Sequence, residues 1–358
     1  MTHNIIWKET DEYIYGSTQK FKLLNKLALF DLDGTLITTK SGKKFPVDEN
    51  DWTWNFRNIR QELLSFFNDG YSIFIISNQA GIEKKHQTSE EWCNKIQKIV
   101  DKLEINMQIF CSKGNNKYRK PFPTFFMKLI TTYKLNPDYD KSFYCGDCAG
   151  RKNDRSDTDY KFALNCGIKF KTPEQIFCTN QNKSQNQLSI SYPNLKSIRG
   201  TKFNFEPIDK EIIILVGLAG SGKSYIANYI NKKFGHKIIC KDVLKTKCMT
   251  IAKKNIEDGE SIVIDSTNPD KITRKYWIDL GKEFGHTTRI ISVLTDKSVA
   301  KHNNYYRHWK YGTKIVPDVA YNVFKSKYQE PSISEGVSEI ISYHPDTPND
   351  SQYFYYLY

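Results

Sequence analysis

An eight-residue string, Gly217-Leu-Ala-Gly-Ser-Gly-Lys-Ser224, follows directly on the apolar run Glu211-Ile-Ile-Ile-Leu-Val216 and precedes the helical pattern Tyr225-Ile-Ala-Asn-Tyr-Ile230. A chain carrying G-x-x-x-x-G-K-[ST] in that setting has few folds open to it. A buried strand must run into a glycine-rich turn whose main-chain N–H groups converge, and a helix must start where the turn ends. Convergent N–H groups and the positive end of the helix dipole make a cradle for phosphates. Gly217, Gly220 and Gly222 give the turn its freedom, with Ser221 between them. Lys223 is placed to reach the β- and γ-phosphates of a nucleoside triphosphate, with ATP expected, and Ser224 to ligate Mg²⁺.

The rest of the chain alternates in the same way. Lys26-Leu-Ala-Leu-Phe30, Tyr71–Ile76 and Lys141–Cys145 read as buried strands, and Glu90–Leu103 has apolar residues at Trp92, Ile96, Ile99, Val100 and Leu103, near helical spacing. Further strands are expected near 236–240, 261–265 and 288–294. The pattern predicts an α/β protein with parallel sheets flanked by helices. The polar stretch from Thr179 reads as a linker, so two domains are expected, residues 1–178 and 207–358, joined by 179–206. The aromatic end Tyr353–Tyr358 reads as a docked terminal strand.

Composition removes several classes. No apolar run approaches ~18 residues, so no membrane-spanning helix is expected. Met1–Asn4 leads into a charged stretch, unlike a secretory leader. Eight cysteines in 358 residues suit reduced thiols inside a cell, and Cys145-Gly-Asp-Cys148 lacks the second pair that a zinc site needs. The formal charge is +13, with +5 on residues 1–180 and +8 on the remainder. A basic field shared by both halves favours polyanions, although a solvated basic surface reads the same way.

Phe30-Asp-Leu-Asp-Gly-Thr-Leu36 follows the first of these strands. Asp31 and Asp33 point to the same side of an extended chain. Asp31 can attack phosphorus and Asp33 can protonate the departing oxygen, with Mg²⁺ offsetting their charge. In the second half, Asp242 lies just beyond a strand, near the glycine-rich turn, and suits a base for an acceptor hydroxyl. Asp265 ends another strand and suits a role in organising that site. Lys301–Lys310 is basic and aromatic, which fits either a solvated face or a lid.

The D-x-D-G-T string resembles the first motif of the haloacid dehalogenase superfamily of phosphohydrolases. That resemblance implies phosphate contacts at Ser77, Asn78 and Lys120, and Mg²⁺ held by Asp31, the main-chain carbonyl of Asp33, and Asp147. Asp159 would help to order the metal site. Asp154 and Asp157 read as a solvated loop.

Phosphatase motifs followed by kinase motifs, with Asp31–Pro46, Ser77–Ile82, Gly146–Arg151, Gly217–Ser224 and Ile264–Asp270, resemble the animal-type bifunctional polynucleotide kinase 3′-phosphatases. The resemblance covers about residues 20–345. It implies a nucleic-acid end-healing enzyme, with DNA ends preferred and RNA ends possible. It implies Asp242 as the kinase base and Arg307 as the lid arginine. Departures are Lys241, where that family commonly has Arg, Tyr305, where a basic residue is often found, and Cys148 in place of a small residue. With about 25 residues before the first motif, no docking to phosphorylated scaffolds is expected. A monomer in the nucleus or cytoplasm is expected. The competing readings are an RNA end-repair enzyme and a nucleic-acid-binding scaffold with one inactive site.

Overall fold

Alternation along single strands explains how the sheets are built. In the run Leu27–Phe30, Ala28 and Phe30 enter one apolar cluster with Ile73, Ile75, Trp92 and Ile99. Leu27 and Leu29 enter a second, with Phe74, Ile76, Phe125 and Phe162. A strand whose two faces both meet helices must be apolar throughout, and residues 27–30 are fully buried. The computed structural model describes residues 3–178, 188, 190 and 192–358. It divides into one unit of Met1–Ser191 with Tyr355–Tyr358, and another of Tyr192–Phe354.

The first unit contains strands β1 (Ile5–Glu9), β2 (Tyr13–Thr18), β3 (Lys26–Phe30), β4 (Ile37–Thr38), β5 (Thr53–Trp54), β6 (Tyr71–Asn78), β7 (Met107–Ser112), β8 (Phe143–Cys145) and β9 (Lys169–Lys171). Its helices are α1 (Ile59–Asn68), α2 (Ala80–Glu83), α3 (Ser89–Leu103), α4 (Thr124–Tyr133), α5 (Thr158–Cys166) and α6 (Pro173–Phe177). The main sheet runs β1-β2-β7-β6-β3-β8-β9. From β7 to β9 it is parallel, while β1 and β2 join antiparallel at the edge, an addition that the expectation of parallel sheets did not contain. The chain winds from β3 outward through β6 to β7, then returns to place β8 on the other side of β3. That reversal opens a crevice at the carboxyl end of β3, where Asp31 follows.

The second unit repeats this logic with strands β10 (Glu211–Val216), β11 (Lys237–Cys240), β12 (Ile262–Asp265), β13 (Thr287–Val293) and β14 (Glu339–Tyr343). Its helices are α7 (Lys223–Phe234), α8 (Lys241–Leu244), α9 (Cys248–Glu257), α10 (Lys271–Glu283), α11 (Lys297–Tyr311) and α12 (Asp318–Lys327). The sheet is wholly parallel, in the order β11-β12-β10-β13-β14. The reversal falls at β10, so the crevice opens where Gly217 begins.

Of the 179–206 stretch, residues 179–187, 189 and 191 lie outside the described residues. Beyond them the chain is packed and not a free linker: Leu195 and Phe205 are buried, and Phe205 joins the cluster of Ile213, Ile226 and Tyr343. Aromatic side chains drew this segment onto the sheet, despite its polar neighbours. The terminal segment is likewise not a strand. Ser351–Phe354 forms a 3-10 turn, and Asn165 in the first unit exchanges two hydrogen bonds with the main chain of Tyr356, at 2.8 and 2.7 Å.

Candidate active sites

β3 delivers Asp31 into the first crevice, where the Asp31 N–H donates to the Cys145 carbonyl at 2.8 Å. Its carboxylate accepts from Lys120 Nζ at 2.6 Å. The Lys120 ammonium also reaches Asp159 Oδ1 at 2.8 Å and the Tyr144 hydroxyl at 2.5 Å. All of its donors are therefore used in a pocket where Lys120 is 3 % exposed. Burial pushes the Asp31 carboxyl well above the usual range; Lys120 opposes the shift, and the carboxylates of Asp159 and Asp147 add to it. Burial acts against the charged form of Lys120 as well, but Asp159 and Asp31 outweigh it and hold the ammonium above its ordinary value.

Asn78 was expected to touch phosphate. Instead its side chain donates to the Lys120 carbonyl at 3.2 Å and accepts from the Lys120 N–H at 2.9 Å. Both ends of the amide are occupied in fixing the main chain of Lys120. Ser77 is 1 % exposed at the end of β6, and its hydroxyl accepts from Gln79 Nε2 at 2.8 Å. The same Gln79 amide donates to Asp33 Oδ2 at 2.6 Å. Gln79 and Tyr144 were not singled out in the sequence, because neither residue type at those positions carries a spacing signal.

Three carboxylates, Asp31, Asp147 and Asp159, share one close ammonium. Burial, with the Asp159 charge next, raises Asp147 to about 6. This excess of hard oxygen donors suits a divalent cation. Gly34, at φ +85°, keeps the place open: a Cβ there would stand 2.6 Å from Asp147 Oδ2. Asp147, Cys148 and Asp159 place ligand atoms within 4.8 Å of one another. The Cys148 thiol is a poor partner for a hard cation, and burial with the two carboxylates raises it to about 12. Asp159 is occupied by Lys120 and by the Cys148 N–H at 3.1 Å. Asp31 and Asp147 are the carboxylates that remain suited to a metal.

Asp154 is not part of a solvated loop. It accepts from the N–H groups of Ala149 and Arg151, each at 3.0 Å, and from Arg151 Nε at 2.9 Å, so it folds the turn after Asp147. Asp157 pairs with Lys161 at 2.8 Å. A repeat of acidic residues does not distinguish these bonded roles from exposure.

In the second unit the turn is built as its motif requires. Gly217, Gly220 and Gly222 all have φ in the left-handed range, at 157°, 80° and 103°. A Cβ on Gly217 would lie 2.7 Å from the Val293 carbonyl, and one on Gly220 would collide with the Ala300 carbonyl. Lys223 is 7 % exposed, and its Nζ donates to the carbonyls of Gly217 and Leu218 at 2.9 and 2.6 Å. Burial pulls the Lys223 ammonium down to about 8; Asp265 and Asp242 oppose that and Arg307 adds to it. Asp265, Arg307 and Asp242 are thus the charged side chains whose fields Lys223 feels. Asp242 is exposed on α8 and Asp265 is half-buried at the end of β12. Ser224 is exposed at the start of α7. Two buried polar atoms, Ser221 Oγ and Arg307 Nε, have no partner among the described residues, which fits a phosphate-bearing ligand.

Lys301–Lys310 lies within α11 and is more than a solvated face: His302, Asn304 and Tyr306 are buried. Asn303 donates to the Gly220 carbonyl at 2.8 Å and accepts from the Tyr353 hydroxyl at 2.6 Å, tying the helix to the turn.

The loop after Asp265, part of the Ile264–Asp270 string, is held by Thr267 and Asn268 within that string and by Arg274 and Glu335 beyond it. Gly217 N–H donates to the Thr267 carbonyl at 3.3 Å, and Asn268 donates to the Leu215 carbonyl at 2.8 Å. Arg274 is fully buried, donates to the Asn268 and Pro269 carbonyls, and forks onto Glu335 at 2.8 and 2.7 Å. Arg274→Met is expected to cost the second unit roughly 3–5 kcal/mol, because the 6 %-exposed Glu335 side chain is left without its partner. Chemical denaturation of the variant checks this. Adding Glu335→Gln is expected to recover part of the loss, and no recovery would mean that the pair's charge is not what matters.

Comparisons with known proteins relate the chain to a family. The family model Polynucleotide kinase 3 phosphatase matches residues 26–177. The Schizosaccharomyces pombe bifunctional polynucleotide phosphatase/kinase is 36 % identical over 343 residues, covering 94 % of this chain and 84 % of that protein. The chain belongs to the bifunctional polynucleotide phosphatase/kinase family. An Acanthamoeba polyphaga mimivirus protein named for the same pair of activities is 33 % identical, over 93 % of this chain and 89 % of its own. Among solved structures, D,D-heptose 1,7-bisphosphate phosphatase from B. bronchiseptica, complexed with magnesium and phosphate, is 17 % identical, with a TM-score of 0.34, over 40 % of this chain and 78 % of that one. Both units are α/β, with mostly parallel sheets flanked by helices. Among the described residues, no helix is long and apolar enough to cross a membrane.

Proposed function

We propose that this phosphatase/kinase family member heals nucleic-acid ends, with DNA ends preferred, removing a 3′-phosphate at the Asp31 site and phosphorylating a 5′-hydroxyl at the Lys223 site. The observation that carries this is the presence of both built sites in a chain similar along 94 % of its length to a bifunctional polynucleotide phosphatase/kinase.

At the first site an Asp31 oxygen attacks phosphorus. The bond from phosphorus to the 3′-oxygen breaks, and Asp33 gives that oxygen its proton. The Ser77 hydroxyl binds a phosphoryl oxygen, and Lys120 binds another with the donor it held on Asp31, which is freed as that carboxylate bonds to phosphorus. Asp33 then takes a proton from water as the water attacks phosphorus of the aspartyl-phosphate, releasing inorganic phosphate and regenerating Asp31. Asp31, Asp147 and the Asp33 carbonyl would hold Mg²⁺, which supplies charge neutralisation when bound.

At the second site the main-chain N–H groups from Gly217 to Lys223 cradle the phosphates of ATP, and Lys223 binds the β/γ oxygens. Asp242 accepts the proton of the 5′-hydroxyl as its oxygen attacks the γ-phosphorus. Arg307 offsets charge on the transferring group, and Asp265 with Ser224 would orient Mg²⁺. The basic balance, and the exposed Phe45 beside Lys43 and Lys44, support a polyanionic substrate with bases to stack. Binding to ATP and nucleic acid follows from this reading, and a monomer suffices for it, since each site is built within one unit.

End-labelled product analysis tests it. A nicked duplex with a 3′-phosphate and a 5′-hydroxyl, given ATP and Mg²⁺, is expected to gain a 3′-hydroxyl and a 5′-phosphate, faster in DNA than in RNA. Faster conversion of the RNA nick would turn the reading to RNA repair. Change at one end only would favour a scaffold with one inactive site.

A further inference from the structure

Helix α3 carries one residue that its apolar stripe does not account for. Thr88 and Glu91 form a capping box that starts the helix, and its inward face presents Trp92, Ile96, Ile99, Val100 and Leu103. Lys95 lies on that same face, and its side chain is 2 % exposed. Its ammonium makes no hydrogen bond among the described residues. Its ionic partner is Asp33, whose Oδ1 lies 4.0 Å away. An ammonium withdrawn from water without hydrogen bonds is costly, and an Ile or Met would fill an apolar stripe better. A helix tolerates such a group where the group serves something else.

Asp33 is the residue that needs holding. Its side chain is about half exposed, at 49 %. A general acid must keep its proton within reach of the leaving oxygen, and a half-exposed carboxylate has solvent-facing rotamers to lose. The structure offers it two fixed points. Gln79 holds Oδ2 at 2.6 Å from the end of β6, and Lys95 faces Oδ1 from α3. The two come from different elements, the end of β6 and helix α3.

We propose that Lys95 is a positioning residue for the phosphatase reaction, holding the Asp33 carboxylate in line with the leaving 3′-oxygen from the buried face of α3. The proposal rests on the reading of Asp33 as the acid/base. Lys95 does not touch the phosphoryl group, which Lys120 serves. Its contribution is therefore confined to the steps in which Asp33 moves a proton, and release of the 3′-oxygen reads the first of them.

Leaving groups distinguish this from a structural role. A 3′-oxygen leaves poorly without protonation, whereas nitrophenolate leaves without it. In single-turnover experiments on a 3′-phosphorylated oligonucleotide, Lys95→Met is expected to slow formation of the 3′-hydroxyl about 10- to 100-fold, within the range that acid–base catalysis contributes. KM for the oligonucleotide should hold. The burst of nitrophenolate from p-nitrophenyl phosphate should stay within about twofold of wild type, and Lys95→Arg should recover part of the oligonucleotide rate, since it keeps the charge. Equal loss on both substrates, or loss on neither, overturns the proposal. If Lys95→Met does not melt cooperatively, Lys95→Gln carries the same comparison. Asp33→Asn is run alongside: if it slows both leaving groups alike while Lys95→Met separates them, Asp33 is not the acid and the underlying reading fails instead.

Discussion

Asp31→Ala is expected to abolish 3′-phosphate release, by about 10⁴-fold or more, while 5′-phosphorylation continues at the wild-type rate. In the proposed mechanism Asp31 is the covalent nucleophile, so its deletion removes the pathway and not merely one contact. The same variant is expected to melt no earlier than wild type. Asp31 is buried against Asp159 and Asp147, and both push its carboxyl toward the neutral form. Lys120 keeps Asp159 and Tyr144 as partners when Asp31 is gone. A site arranged for chemistry carries such repulsion at the expense of stability. Product analysis on a 3′-phosphorylated oligonucleotide, with calorimetry of the same sample, reads both effects. Retained phosphatase turnover would remove Asp31 from the mechanism. An earlier melt would make its pairing with Lys120 a structural one.

Lys223→Ala is expected to act in the opposite way, reducing 5′-phosphorylation about 10²- to 10³-fold, the size lost when one preorganised charge is withdrawn from a transferring group. Release of 3′-phosphate should be unchanged. Lys223 is nearly buried and donates to the carbonyls of Gly217 and Leu218, so its position is set by the turn itself. An alanine leaves the N–H cradle and the α7 N-terminus in place, so weak ATP binding is expected to persist in a direct titration. If Lys223→Ala and Asp31→Ala each abolish both activities in folded protein, the two sites do not work separately and the proposed division fails.

Much of the scaffold was legible from local rules. β3, β6 and β10 announce themselves as short apolar runs because their two faces are both covered, and period-two alternation sorts their residues between two clusters. The glycine turn was legible because φ values near +80° to +157° exclude most side chains. The edge strands β1 and β2 were not recognised. Their half-exposed residues, Ile5–Glu9 and Tyr13–Thr18, give a weaker pattern than a buried strand. Nor was the packing of Phe205, since composition averages over a segment and one aromatic ring is enough to dock it.

The sequence by itself determined the order of the chemistry: an Asp-x-Asp pair after one central strand, a phosphate cradle after another. Those depend on neighbours within a few residues. Tertiary structure decided which groups support them. Lys120 meets Asp31 across 89 positions and Asp159 across 39, Gln79 meets Asp33 across 46, Arg274 meets Glu335 across 61, and Lys95 faces Asp33 from a helix it shares with Trp92 and Ile96. No local pattern encodes such pairs, because charge acts through space and only folding sets the distance and the dielectric between two groups. Asn78 shows the consequence most directly. The haloacid dehalogenase resemblance implied a phosphate contact there, and the fold sets its side-chain amide on the main chain of Lys120.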